Sequence, residues 1–186
     1  MGRWKPGAAG RLQAAAMALY VDQGYEQTTV AEIAERAGGT ARTFFRHFAD
    51  KREVLFAGSE QLEAAMVAAV AEAPADASAL EALGAAIDAA AAMIGGSHAH
   101  SRQRQALLVD NPELMERELI KMARLADSLT AAMVARGVPA ADARLVAETG
   151  IAVFRIGFGR WVDGPAKADL GRTLRASLAQ LRGLVG

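Results

Sequence analysis

Apolar residues recur along this chain at the spacing of helix faces. Between Arg11 and Gln23, Leu12, Ala15, Ala16, Leu19 and Tyr20 follow the i, i+3, i+4, i+7, i+8 pattern of a first helix, and Gly24 stands at its C-terminal stop. Thr29-Val30-Ala31-Glu32 is a capping box opening a short second helix whose apolar face carries Ile33, Ala34 and Ala37, closed by Gly38-Gly39. Thr40 caps a third helix, Ala41 to Phe48. The pattern then predicts helices from Lys51 to Ala73, ending at Pro74, and from a second capping box, Ser78 to Glu81, as far as Ile94. One from His98 to Val109 follows, and Asn111-Pro112 opens another, reaching Arg136, with Met115, Leu119, Met122, Ala126, Leu129 and Met133 as its stripe. The last two run from Ala140 to Val162 and from Ala168 to Leu184, separated by Asp163-Gly164-Pro165. The expectation is an all-α fold of about nine helices.

Composition agrees. The 186 residues include 44 alanines but only 5 prolines, and 5% are aromatic, a balance that favours helices because alanine loses least entropy in them. With 52% hydrophobic residues the chain can bury a sizeable core, which excludes disorder as its main state. There is no cysteine, hence no disulfide, thiolate metal site or thiol nucleophile. The opening residues lack a signal peptide's apolar stretch, and charges interrupt later apolar runs before the roughly 18 residues of a membrane span, so a cytoplasmic protein with no membrane partner is expected.

Charge sharpens the picture. Lys+Arg and Asp+Glu balance at 21 each, which excludes a uniformly basic coat protein, yet residues 1–52 carry a net charge of +3 and the remainder −3. The positive end contains two short helices joined by a glycine turn, a helix-turn-helix signature. In its third helix, at about 100° per residue, Phe44 and Phe48 share one side while Arg42 and Arg46 lie opposite, flanked by Thr43 and His47. Placed in a major groove, the guanidinium groups would meet guanine edges or phosphates and Thr43 a base edge; a merely solvated face has the same spacing. The leading Gly2-Arg3-Trp4-Lys5 is either a backbone-following arm or an idle tip.

The stretch Thr28-Thr29-Val30-Ala31-Glu32-Ile33-Ala34-Glu35-Arg36-Ala37-Gly38, continued by Thr40 to Phe48 and by Lys51-Arg52-Glu53-Val54-Leu55-Phe56, resembles the DNA-binding domain of TetR-family transcriptional regulators over residues 8–56. The resemblance implies a dimeric, ligand-responsive repressor that binds palindromic operator DNA. It places Thr29, Thr40, Phe45, His47 and Lys51 near phosphates and Arg42, Thr43 and Arg46 near base edges. Gly39 departs from the apolar residue usual in that turn, and Phe45 replaces a tyrosine that often gives its hydroxyl to a phosphate. On this plan residues 1–50 form the DNA-binding domain, with 1–8 a flexible arm, and 51–186 a helical domain for ligand binding and dimerisation.

In that second domain Val146, Gly150, Val153, Gly157 and Trp161 form a stripe whose glycines permit close helix approach, and the last helix offers Leu170, Leu174, Leu178 and Leu181. Either stripe serves an internal core or, as the resemblance implies, a homodimer contact. Met93, Ile94, Leu108, Met122, Phe154 and Phe158 are candidates to line an apolar pocket for an unknown small molecule, with His98, His100, Arg104 or Arg155 as anchors; ordinary core packing explains the same six. No catalytic constellation, metal set, phosphate loop or cofactor motif is recognisable, since His98 and His100 diverge on a helix. Besides the ligand-gated repressor, an effector-free DNA-binding regulator and a small helical enzyme or carrier remain compatible with the residues.

Overall fold

A computed structural model of the chain describes residues 7–185. The leading arm proposed for residues 2–5 lies outside them. The described residues form helices α1 (Ala8–Gln23), α2 (Val30–Arg36), α3 (Ala41–Phe45), α4 (Ser59–Glu72), α5 (Ala79–Ile94), α6 (His98–Asp110), α7 (Pro112–Ala135), α8 (Ala140–Asp163) and α9 (Leu170–Val185), with a 3₁₀ turn over Glu53–Phe56 and no strand. The all-α expectation and the number of α-helices hold.

Two boundaries differ from the pattern, each for a local reason. The helix expected from Lys51 to Ala73 is broken: Gly58 takes φ +91°, a left-handed conformation that a residue with a Cβ adopts only at a cost, so the 3₁₀ turn ends before α4 begins. Residues 53–72 are apolar enough in sum to resemble a membrane span, contrary to the sequence expectation. The uninterrupted α4 nevertheless has 14 residues, about 21 Å against a hydrocarbon core of roughly 30 Å. α3 ends at Phe45 instead of Phe48, although the Phe48 N–H still donates to the Phe44 carbonyl at 3.0 Å, so the helical phase continues past its end.

The chain forms two compact units, one comprising residues up to 57 with 103–116, the other 58–102 with 117 onward. The first is larger than the expected 1–50 domain because Leu107, Leu108 and Leu114 join its core. There they pack with Leu12, Ala16 and Tyr20 of α1, Ile33 of α2, Phe44 of α3, and Val54, Leu55 and Phe56 of the 3₁₀ turn.

In the second unit α5 packs against α4, α8 and α9. It contributes Ala82, Leu83, Ala86, Ile87 and Ala90 to a core completed by Met66, Val70, Leu129, Met133, Phe154, Trp161 and Leu174, among others. The stripes expected to serve either an internal core or a dimer contact lie in or against this core. Gly150, Val153, Gly157, Trp161, Leu170, Leu174 and Leu178 are buried within the chain, and Val146 and Leu181 pack half-buried against the same core. A Cβ on Gly150 would overlap the Leu83 side chain, and one on Gly157 would lie 2.7 Å from Leu174 Cδ2. The glycines therefore serve close approach of α8 to α5 and α9 within the chain.

Candidate nucleic-acid interface

Capping chemistry builds the helix-turn-helix. The Thr29 hydroxyl accepts from the Glu32 N–H at 3.3 Å, while Glu32 Oε2 accepts from both the Thr29 N–H and its hydroxyl at 2.8 Å, satisfying amides that the first turn of α2 leaves open. These bonds, with one from Gln23, hold the Glu32 carboxyl below its ordinary pKa. At the other end Gly38, with φ +72°, turns the chain, and its N–H donates to the Glu35 carbonyl. Thr40 then caps α3, accepting from the Thr43 N–H at 3.3 Å.

α3 is anchored by Phe44, which is 0% exposed, with Phe45 at 5.5 Å and Phe48 at 5.6 Å between ring centroids. Arg42, Phe45, Arg46 and His47 are exposed, Thr43 is half-buried, and among the described residues neither Arg42 nor Arg46 has an ion-pair partner. The donor-rich face is thus solvent-accessible. Thr29 and Thr40 are exposed as well, but each hydroxyl is already engaged in its cap.

Lys51, which the resemblance puts near a phosphate, has its ammonium engaged within the chain. Its ammonium donates to the carbonyls of Tyr25, Glu26 and Thr28 at 3.0, 3.2 and 3.3 Å and lies 4.2 Å from the Tyr25 ring centroid. Its own carbonyl accepts from the Tyr20 hydroxyl at 2.6 Å. The lysine clips the loop before α2 to the segment after α3. Burial raises the pKa of the Tyr20 phenol, helped by the Asp50 charge, and burial followed by a hydrogen bond to Glu113 raises that of Tyr25. Asp50 completes the segment: it accepts from the backbone N–H groups of Arg52 and Glu53 and from the Arg52 guanidinium. Burial alone would raise its pKa, yet these bonds bring it below the ordinary value.

In the second unit, Phe154 is buried and stacked on half-buried Phe158 at 5.9 Å; Phe158 lies 5.7 Å from Trp161, and Trp161 4.8 Å from His98. His98 Nε2 donates to the Trp161 carbonyl, and the Trp161 indole N–H to the Ala168 carbonyl, each at 2.9 Å. Ile94 and Met122 pack half-buried against the same core. The other two pocket candidates do not join them: Met93 is 48% exposed, and Leu108 is in the core of the first unit. Arg104 is also in the first unit, donating to the Leu55 carbonyl and lying over the Phe56 ring, while Arg155 is exposed on α8.

Residues 12–57, the helix-turn-helix just described, match the family model of bacterial regulatory proteins, tetR family. An uncharacterised HTH-type transcriptional regulator of Mycobacterium bovis is 32% identical over 143 residues, 74% of this chain and 73% of that protein. This chain is a TetR-family regulator. The HTH-type transcriptional regulator TcmR of Streptomyces glaucescens is 44% identical over 68 residues, 37% of this chain but only 30% of TcmR, so the match takes in less than a third of that relative's length. The fold is similar to that of the transcriptional regulator FadR from Bacillus subtilis, solved in complex with stearoyl-CoA: TM-score 0.67, 22% identity, covering 92% of this chain and 96% of that one.

Within this TetR-family head the unusual Gly39 has a local explanation. A Cβ there would come within 3.3 Å of Thr43 Cβ and Cγ2, so the missing side chain relieves crowding against the threonine on α3. Sequence reasoning missed an outward apolar row on α8, where Leu145 is 67% and Ile156 56% exposed, with exposed Ala152 between them. The signal was present as 145, 152, 156 spacing, but the buried stripe beside it is stronger because it contains Trp161 and Val153.

Proposed function

We propose that this TetR-family regulator is a homodimeric repressor in the cytoplasm that binds a two-fold symmetric operator and is released from it by a small apolar or amphipathic molecule. The observation that carries the DNA part is the exposed face of α3, where Arg42 and Arg46 lie on the side away from buried Phe44 and, among the described residues, have no ion-pair partner. Arginine in the major groove gives two parallel donors to guanine O6 and N7, and Thr43 beside it offers a hydroxyl and a methyl. A single head reads only a half-site; two-fold pairing of chains matches the symmetry of a palindrome.

The dimer face proposed now is the outward row of α8, Leu145, Ala152 and Ile156, together with the exposed Ala179 and Leu184 of α9, in place of the buried stripes. Exposed side chains of this size are common singly, but a row along one helix face favours association. For the effector, the aromatic group of Phe154, Phe158 and Trp161, with Ile94 and Met122, supplies an apolar lining and His98 a polar group at its edge. Because the similarly folded FadR carries stearoyl-CoA, fatty acyl thioesters are the first class to test.

The experiment is in vitro selection of binding DNA from a random pool with the full chain, followed by sedimentation of the complex and titration with stearoyl-CoA and shorter acyl thioesters. Inverted-repeat sequences holding two chains, and release by an acyl thioester, are the expected results. Selection of no sequence overturns the DNA reading. DNA binding that no thioester or apolar compound relieves leaves an effector-free regulator.

A further inference from the structure

Phe45 is the least comfortable side chain of the reading head. It is 58% exposed at the end of α3, between Arg42 and Arg46 in sequence, with an edge-to-face ring contact to buried Phe44 at 5.5 Å. A half-exposed phenyl ring gains by leaving water, and lacking a hydroxyl it has nothing to donate to a phosphate. On α3 it lies about 60° from Arg42, so whatever base step the arginine approaches, the ring faces its neighbourhood. The major groove displays donors and acceptors on every base pair and a single apolar group, the C5-methyl of thymine.

We propose that Phe45 reads a thymine methyl group in each half-site, a specificity contact distinct from the arginine contacts and from any phosphate contact. This rests on the DNA-binding reading above and adds a base identity to it. The ring is fixed before binding by Phe44 and has only two side-chain torsions, so the contact costs little ordering entropy. Edge-to-face packing also sets which side of the ring is presented. Sequence preference at that position then comes from burial of one methyl group and not from a hydrogen bond.

The test uses the full chain and the DNA it selects, measured by fluorescence anisotropy at fixed salt, with each thymine replaced in turn by deoxyuridine. That exchange removes only the methyl group. Replacement at one position per half-site is expected to weaken the parent protein by about fourfold per methyl. Phe45→Ala should be indifferent to that same replacement, whereas Phe45→Tyr, which keeps the ring, should remain sensitive. Thermal melts of both variants are expected to match the parent, because the side chain is exposed. A parent that tolerates every thymine-to-uracil change, or a Phe45→Ala variant that keeps full sensitivity, overturns the proposal while leaving DNA binding intact; uniform weakening of Phe45→Ala on all sequences assigns the ring to the sugar-phosphate backbone and overturns it as well. Failure of the parent to bind any selected DNA overturns the underlying reading and this proposal together.

Discussion

The Lys51 ammonium has three hydrogens, and three carbonyl oxygens within 3.3 Å accept them. A family resemblance puts such a lysine at a phosphate, but the carbonyls of Tyr25, Glu26 and Thr28 belong to a turn whose course no periodicity reveals, so its structural duty was not legible. Lys51→Met should lower the stability of the first unit by about 1.5–3 kcal/mol, the range for hydrogen bonds involving a charged group, with partial exposure favouring the low end. It should leave the slope of log affinity against log salt unchanged, where loss of a phosphate contact lowers that slope by roughly 0.9. Melting curves and salt titrations of the variant decide between the two duties. Phe44 and Phe48, by contrast, were legible as one greasy side; only their ranking was not, because α3 ends between them and Phe48 remains half-buried. Phe44→Ala should therefore cost about 3–5 kcal/mol and Phe48→Ala less, as measured by denaturant unfolding.

Among the elements, those with explicit punctuation were readable to within a residue or two: both capping boxes, at Thr29 and Ser78, form as written, and Gly24 and Gly137 take positive φ at helix ends. The break at Gly58 was not, since a glycine in a helical pattern marks either tolerated packing or a stop, and only the left-handed backbone distinguishes them. Gly58→Ala should destabilise by about 1–2 kcal/mol through that strain alone, because no atom lies near the added Cβ. Capping also makes a pH signature. Glu32 and Glu81 both titrate below the ordinary value of 4.5 because they accept bonds from Thr29 and Ser78. A depressed folded pKa gives stability that is present above about 4.5 and is lost as pH falls through the folded value. The double variant Glu32→Gln/Glu81→Gln should accordingly lose less melting temperature than the parent between pH 5 and pH 3, about one unit either side of the carboxylate range.

At the scale of the whole molecule, the all-α plan and the tetR-family head were legible, but which apolar stripe of α8 its own core uses was not. α8 is apolar on two sides, and sequence offers no sign of which side its own neighbours occupy until Leu83 is seen filling the space beside Gly150 and Leu174 that beside Gly157. The two faces separate cleanly by mutation. Ile156→Glu should convert a dimer to folded monomers, whereas Gly157→Leu should unfold the second unit, as sedimentation with circular dichroism will show. Above both stands the claim that the outward face of α3 reads DNA. Anisotropy titration of Arg42→Ala/Arg46→Ala against selected and scrambled duplexes at one salt concentration tests it most directly. With each base-directed arginine worth about 1–3 kcal/mol of discrimination, the variant should bind both duplexes alike while melting and dimerising as the parent does. Retention of the parent's preference for the selected duplex would contradict the account.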